Sequence, residues 1–152
     1  MKSIEGNFEE KKVNELLLKH FKELRSVSPA NSCHVLDING LKKDNIKFWS
    51  LWENEKLVGC GALKFLNEGH GEFKSIRIAD KFRGKGLGVK IIYHLISEAK
   101  KLNIKKLSIE TGSGSFFSPA RKLFQNCGFK TCEPFAHYKK DPNSCYFTLD
   151  LK

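Results

Sequence analysis

The stretch from Gly71 to Leu102 constrains the fold more than any other part of the chain. Its first residues, through Ile78, are rich in strand-forming side chains, and a glycine-rich segment follows at once. From Leu87 onward apolar residues recur at helical spacing, while lysines and a histidine occupy the opposite face. The stretch therefore predicts a strand, a tight turn and an amphipathic helix that covers one face of a sheet.

The six residues from Arg83 to Gly88 make up this turn. Glycines at positions 84, 86 and 88 allow backbone conformations closed to other residues and let a ligand approach the main chain. The unpaired N–H groups and the positive dipole at the start of a helix attract anions, and Arg83 and Lys85 add positive charge. The turn predicts a site for a phosphate-bearing ligand. A plain strand-to-helix turn with solvated lysines is the alternative.

The spacing of the glycines separates several kinds of phosphate loop. A Walker loop requires the pattern G-x-x-x-x-G-K-S/T, and the chain contains no such run. A dinucleotide fingerprint requires G-x-G-x-x-G, whereas this chain offers G-x-G-x-G. The remaining pattern is Arg-x-x-Gly-x-Gly at Arg83, Gly86 and Gly88. It resembles the acyl-coenzyme A loop of the GCN5-related N-acetyltransferase (GNAT) family.

A second motif lies beyond the loop, from Ala120 to Phe129. It reads A-x-x-x-F-x-x-x-G-F and resembles the A-x-x-x-Y-x-x-x-G-F helix of the same family. The order of the predicted elements is also similar, so the resemblance covers nearly the whole chain. It implies an α/β fold in which a mixed, mostly antiparallel central sheet of about seven strands carries helices on both faces. It also implies one N-acetyltransferase domain over residues 1–152.

Length and charge limit the other classes of protein. A chain of 152 residues is most economically one domain, and no apolar run reaches the roughly 20 residues that a membrane helix needs. The formal charge of +10 invites a nucleic-acid partner, but the basic residues are dispersed and no nucleic-acid-binding motif occurs. We therefore expect neither nucleic acid nor a membrane as a partner. A polyanionic cofactor such as coenzyme A explains part of the charge.

The cysteines and the first residues bear on the compartment. The five cysteines are odd in number and form no C-x-x-C pair, which argues against disulfides and zinc and favours a reducing cytoplasm. The N-terminal residues lack the apolar core of a signal peptide. We expect a cytoplasmic protein without a metal site. The sequence leaves open whether it is a monomer or a homodimer.

The remaining elements are predicted from local signals. Asn7 is expected to cap the first helix, with Glu10 three positions on as in a capping box. Ser118 is expected to cap the last helix, with Pro119 at its first position. Residues 30–45 form either a cover over the substrate or a plain connection. The predicted strands span residues 2–6, 46–52, 56–66, 71–79, 106–111, 129–133 and 145–151, with 71–79 and 106–111 parallel.

The resemblance to the GNAT family implies where acetyl-coenzyme A (acetyl-CoA) would bind. The parallel strands at 73–79 and 106–111 would splay apart and receive the pantetheine arm like an extra strand. An amine would then attack the thioester directly in a ternary complex. The implied cofactor-binding residues lie on the strand, on the loop and at the family's asparagine position: Ile76, Arg77, Ile78, Arg83, Gly84, Lys85, Gly86, Leu87, Gly88 and Phe117.

Two carboxylates are candidates for the catalytic base. The resemblance implies that Glu72, eleven residues before Arg83, deprotonates the amine, and Glu110 on the neighbouring strand is the rival. Either could instead be a solvated or ion-paired carboxylate. The family's general-acid tyrosine falls on Phe124, which we expect to line the cleft and which has no proton to give. A noncatalytic acyl-CoA-binding or sensing module is therefore the alternative to an acetyltransferase.

The acceptor site is predicted from fewer residues. His34 and Lys74 are candidates for contact with the acceptor amine. Lys74 and Arg77 bring positive charge to the central strand, so a carboxylate-bearing amine such as an amino acid or peptide would complement whichever of them faces the cleft. Alternation along the strand would place Glu72, Lys74 and Ile76 on one face unless a bulge intervenes, and Arg77 on the other.

Overall fold

A computed structural model describes residues 1–29 and 33–151, which form a seven-stranded mixed sheet in the order β1-β2-β3-β4-β5-β7-β6. Every neighbouring pair is antiparallel except β4 with β5, which confirms the predicted fold class. The strands are β1 (Lys2–Glu5), β2 (Ile46–Glu53), β3 (Lys56–Asn67), β4 (His70–Ile78), β5 (Lys106–Gly112), β6 (Lys130–Thr131) and β7 (Ser144–Asp150). The helices are α1 (Lys11–Val27), α2 (Ile38–Leu41), α3 (Leu87–Lys101) and α4 (Ser118–Asn126). None of the described helices is both long and apolar enough to cross a membrane.

The two faces of the sheet carry separate apolar clusters. On one face, α1 buries Val13, Leu17 and Phe21 against Cys60 and Ala62 of β3. A larger cluster on the other face joins α3 and α4 to the central strands through Leu63, Phe73, Ile91, Leu95, Ile109, Phe124 and Phe147. Burial of apolar surface thus anchors α1 to one face of the sheet and α3 and α4 to the other.

Glycines on β3 allow α3 to approach the sheet closely. A Cβ atom on Gly61 would lie 2.5 Å from Leu95 Cδ1, and one on Gly59 would lie 2.5 Å from the carbonyl oxygen of Arg77. Both distances are too short for a real side chain. These two glycines therefore allow the helix and the neighbouring strand to approach β3 closely.

The helix starts differ from the predicted caps. Asn7 has a φ of 43° and belongs to a turn, and Glu10 caps α1 by accepting a hydrogen bond from the backbone N–H of Lys12 at 3.4 Å. Asparagine tolerates the left-handed conformation, so the residue that looked like a cap ends the preceding turn instead. Ser118 is already helical, and Phe117 precedes it without a side-chain capping bond.

The parallel strands β4 and β5 pair over only part of their length. His70–Phe73 is in register with Lys106–Ile109, and in the described register no pair joins the two strands beyond these residues. β4 nevertheless continues to Ile78 and β5 to Gly112. The predicted splay is confirmed, and it opens a gap in the middle of the sheet.

Phe124 lies in the core and does not line the cleft as expected. Its side chain is 5% exposed, and its ring centroid lies 6.1 Å from that of Phe129 and 6.2 Å from that of Phe147. The motif placed this residue correctly on α4. The family position of the tyrosine did not predict that the side chain would turn into the apolar cluster.

Phe124→Tyr should therefore destabilise the fold. Its added hydroxyl would be buried among apolar rings without a partner, which costs about 1–3 kcal/mol. Urea unfolding measures the change. Phe116→Tyr is the matched control, because Phe116 is 46% exposed and water can hydrate a hydroxyl added there. Equal stability of the two variants would contradict the burial of Phe124.

Candidate active site

The glycine loop between β4 and α3 has the geometry of an anion site. Gly84 and Gly86 adopt left-handed conformations with φ of 73° and 76°. Gly86 directly precedes α3 and makes no side-chain cap, so no side chain at that position occupies the first N–H groups of the helix. A Cβ atom on either glycine would meet nothing within 4 Å, so this surface of the loop is open to a ligand.

Charged side chains form ion pairs and a hydrogen bond next to this loop. Arg83 Nε donates to the carbonyl oxygen of Ile78 at 3.3 Å and lies 3.5 Å from the Asp80 carboxylate. Asp80 also pairs with Lys19 of α1. The hydrogen bond from Lys19 and the charge of Arg83 lower the pKa of Asp80, so this carboxylate stays ionised near neutral pH.

A β-bulge at Ser75 changes which side chains share a face of β4. Lys74 is in register with Ala62 and Arg77 with Cys60, so β4 has one extra residue in this interval. Ser75 has a φ of 54°, a left-handed value that is uncommon for a residue other than glycine. The bulge places Lys74 and Arg77 on the same face of the sheet, the face covered by α1.

The expected alternation therefore holds only up to the bulge. Glu72 and Lys74 share the α1 face, as predicted, but Ile76 packs against the cluster beneath α3 on the opposite face. The prediction that Ile76 would share the face of Glu72 was wrong, and so was the expectation that Lys74 and Arg77 would lie on opposite faces. A single unpaired residue reverses the alternation beyond it.

A cavity of about 90 Å³ opens where β4 and β5 separate. It lies between α1, the segment that leads to α2, and the free ends of the two strands. Its lining includes four predicted site residues, His34, Lys74, Glu110 and Phe117, and does not include Glu72. The other described lining residues are His20, Leu24, Ser28, Cys33, Val35, Leu36, Phe73, Ser75, Thr111 and Gly112.

Part of the span 30–45, predicted as a substrate cover or a plain connection, lies beside the cavity. Residues 33–36 form one wall of the cavity, and the rest of the span contains α2. Residues 30–32 lie outside the described part of the chain.

Glu72 is buried beside the cavity in a polar network. Its carboxylate is 1% exposed, and Glu72 Oε2 accepts hydrogen bonds from Tyr138 Oη at 2.6 Å and Lys74 Nζ at 3.3 Å. Lys74 Nζ also donates to Tyr138 Oη at 3.0 Å. Among the described residues, Glu72 Oε1 and Ser75 Oγ are buried without a partner, which suits contact with a water molecule or ligand.

Tyr138 is a site residue that sequence reasoning missed. It lies between β6 and β7, 66 residues from Glu72, and its side chain is 9% exposed. Burial, followed by the nearby charge of Glu72, raises the pKa of Tyr138. The phenol therefore stays protonated and donates a hydrogen bond to Glu72. No local pattern marks such a long-range contact.

Glu110 is the predicted base that faces the cavity directly. Burial raises its pKa, and a hydrogen bond with Ser144 and the nearby charge of Lys74 oppose the shift. His20, which the sequence did not single out, lies on the buried face of α1, and burial lowers its pKa to about 4. Burial also lowers the pKa of His34. Both imidazoles are therefore uncharged near neutral pH.

The Arg77 side chain does not reach this cavity. Its guanidinium, which is 3% exposed, pairs with Glu23 of α1 at 2.9 Å and with Asp80 at 3.3 Å. The side chain is therefore committed to an internal network. The predicted cofactor contact of Arg77 stays a prediction about its backbone.

An open glycine loop at the start of a helix, next to a split in the sheet and a cavity lined by a carboxylate, is the arrangement expected of an acyl-CoA-dependent transferase. The acetyltransferase (GNAT) family model matches residues 11–129, and the chain belongs to that family. It is accordingly an N-acetyltransferase, and acetyl-CoA is its acetyl donor.

Relatives and solved structures agree with this placement. The uncharacterized N-acetyltransferase YsnE of Bacillus subtilis is 44% identical over 93% of each chain. The uncharacterized N-acetyltransferase YedL of Escherichia coli is 39% identical, over 91% of this chain and 87% of the relative. A Bacillus subtilis acetyltransferase solved in complex with CoA is 21% identical and superposes with a TM-score of 0.73 over 99% of each chain, which shows the same fold.

Gly86→Val should weaken acetyl-CoA binding by about 1–2 kcal/mol, because a side chain at a left-handed position shifts the loop that receives the phosphates. Calorimetric titration with acetyl-CoA measures the change. Gly114→Val is the matched control, since Gly114 has an ordinary φ of −68° and equally open surroundings. Unchanged affinity in Gly86→Val would remove the loop from the binding site.

Proposed function

We propose that the chain transfers an acetyl group from acetyl-CoA to a primary amine of a small molecule, amino acid or peptide, by direct attack in a ternary complex. The observation that carries this proposal is the separation of β4 from β5. It connects the glycine loop at one end to a cavity lined by Glu110 at the other. The five free cysteines favour a reducing compartment such as the cytoplasm.

The separated strands offer a place for the pantetheine arm. Backbone groups of residues 74–78 and 110–112 face each other without pairing, and an extended ligand with amide groups can add to such an edge as a strand does. The amides would pair around Ile76–Ile78, and the pyrophosphate would lie on the N–H groups of residues 83–88. Phe117 packs directly over Gly112, so its ring would flank this path with an apolar surface.

The reaction removes two protons from a bound ammonium and exchanges one bond. A carboxylate takes the first proton, because only a neutral amine has the lone pair that attacks the thioester carbonyl carbon. Backbone N–H groups near Ile78 stabilise the oxyanion. The C–S bond then breaks, coenzyme A leaves as the thiolate, and the second proton of the nitrogen passes to water or to the thiolate. Free thiols have a pKa near 8.5, so a thiolate leaves tolerably well without a proton donor. The absence of a general-acid tyrosine at position 124 therefore does not argue for a noncatalytic module.

We assign direct proton transfer to Glu110 and a relayed role to Glu72. Glu110 lines the cavity, and a raised pKa makes its carboxylate a better base. Glu72 lies behind Lys74, and its unpartnered Oε1 can reach the amine only through a water molecule. Both carboxylates extend from neighbouring strands onto the same face of the sheet.

The test of the proposed function is release of coenzyme A thiol in the presence of a panel of primary amines. We expect turnover with at least one amine and none without an amine. Binding of acetyl-CoA without turnover across the panel would contradict the proposal and support a binding or sensing module.

Glu110→Gln should lower turnover by about 10²–10⁴-fold while leaving acetyl-CoA affinity nearly unchanged, because it removes the group that accepts the proton. Steady-state rates and calorimetry measure the two quantities. Glu133→Gln is a control, since Glu133 does not line the cavity. Full turnover in Glu110→Gln combined with loss in Glu72→Gln would reassign the base to Glu72.

The same variant should gain stability at neutral pH. Burial holds the folded pKa of Glu110 above its unfolded value, so ionisation opposes folding, and stability is lost as pH rises from the unfolded pKa through the folded pKa. Glu110→Gln cannot ionise and should exceed the wild type in stability at about pH 7 but not at about pH 4. Urea unfolding at both pH values checks the sign, and an equal difference at both would contradict it.

A further inference from the structure

The charges that face the acceptor cavity differ from those expected of a site for amino acids. Among the residues that the structure describes, the cavity is lined by one lysine, Lys74, and one carboxyl-bearing side chain, Glu110. Of these two, only Glu110 lacks a partner of opposite charge within ion-pair distance in the described part of the chain. The balance of charge in the cavity therefore depends on how completely Lys74 is neutralised.

Lys74 is neutralised within the protein. Its ammonium lies 3.3 Å from the Glu72 carboxylate and 3.0 Å from Tyr138 Oη, and it lies over the Tyr138 ring at 5.7 Å from the centroid. The lysine side chain is 10% exposed and the glutamate side chain 1% exposed. In such a buried pair the Lys74 ammonium already has its counter-ion. If an acceptor carboxylate drew that ammonium away, Glu72 would be left buried and unpaired.

No other cation replaces it in the described wall of the cavity. The guanidinium of Arg77 is paired with Glu23 and Asp80 and lies outside the lining. His20 and His34 line the cavity but are neutral near pH 7, because burial lowers the pKa of each. A carboxylate on the acceptor would thus enter the cavity without a cationic partner and beside the carboxylate of Glu110.

We propose that the acceptor is a short primary amine whose ammonium group is its only charge, and that amines bearing a carboxylate are rejected. This inference rests on the proposed function and narrows its acceptors to amines that carry no carboxylate, which leaves free amino acids out. The ammonium pairs with Glu110, which also takes its first proton, and the hydrocarbon part contacts the apolar wall formed by Leu24, Val35 and Leu36. An ammonium restores to Glu110 the counter-ion that the described protein does not provide.

The size of the cavity selects the probes. The cavity has a volume of about 90 Å³, so we choose small amines as probes. Ethylamine is small enough to serve as the reference acceptor. Alanine is ethylamine with a carboxylate, and alaninamide has nearly the shape of alanine without the negative charge. These three compounds separate charge from shape.

The first experiment compares the three probes in two readouts. Turnover with acetyl-CoA gives kcat/KM, and calorimetric binding to the protein loaded with coenzyme A gives affinity without any reaction. We expect ethylamine and alaninamide to exceed alanine by about 10–100-fold in both, the effect of one unsatisfied charged group. Binding of alanine as tight as that of alaninamide would overturn the inference, and so would equal rejection of alanine and alaninamide, which would make shape the cause.

The two readouts keep this inference apart from the proposed function. Selective binding of ethylamine and alaninamide without turnover would sink the proposed activity and leave the charge selectivity standing. Turnover that favours alanine would leave the activity standing and sink the selectivity.

A second experiment tests the stated reason for the selectivity. Glu72→Gln removes the counter-ion of Lys74, so the freed ammonium should attract a carboxylate, and the preference for alaninamide over alanine should fall at least about fivefold. Tyr138→Phe is the matched control, because it removes a hydrogen bond from the same network but keeps the Lys74–Glu72 pair, and its preference should stay near that of the wild type. Both comparisons use binding ratios, so a loss of catalytic rate in either variant does not affect them. An unchanged preference in Glu72→Gln would overturn the inference.

Discussion

The rest of the structure depends on a missing set of hydrogen bonds in the centre of the sheet. β4 and β5 pair up to Phe73 and Ile109 and then separate, although both remain strands for several more residues. Unpaired backbone groups inside a sheet are costly unless water or a ligand satisfies them. Close packing flanks the gap: α3 packs on β3 through Gly61, and Phe117 packs over Gly112 at the end of β5. A ligand that supplies amide groups to this edge completes the sheet.

The bulge at Ser75 decides what the gap presents to an acceptor. Without the extra residue, Lys74 and Arg77 would lie on opposite faces of β4, and Arg77 would point toward α3. With it, both cations lie on the face of α1, where each is matched to buried or partly buried carboxylates. Backbone strain of this kind is common at functional sites, where the surrounding structure holds it in place. Here it converts a strand that reads as basic into a cavity wall whose positive charge is already compensated.

Local signals were sufficient to predict the elements around the proposed cofactor site. The glycine loop, the following helix and the parallel strand pair depend on residues close in sequence, and the structure places them as expected. The acceptor half depends on contacts between distant segments, such as Tyr138 with Glu72 and His20 with the cavity, and neither contact leaves a periodic pattern. The bulge was equally invisible, because serine carries no turn signal at that position. Phe124 shows a different limit: the motif identified its helix, but the packing against Phe129 decided where the ring points.

One buried cation links the two halves of the site. Arg77 bridges Glu23 on α1 and Asp80 at the entrance to the glycine loop, and Asp80 also binds Arg83 and Lys19. Burying a guanidinium carries a desolvation cost that its ion pairs barely offset, so stability alone is a weak reason for this arrangement. The geometric effect is specific, because Arg77 holds two elements of the site together. One is α1, which carries His20 into the cavity wall, and the other is the loop that precedes α3. The position of the acceptor wall relative to the phosphate loop is thus fixed by hydrogen bonds with defined directions, whereas apolar packing alone would leave α1 freer to slide along the sheet.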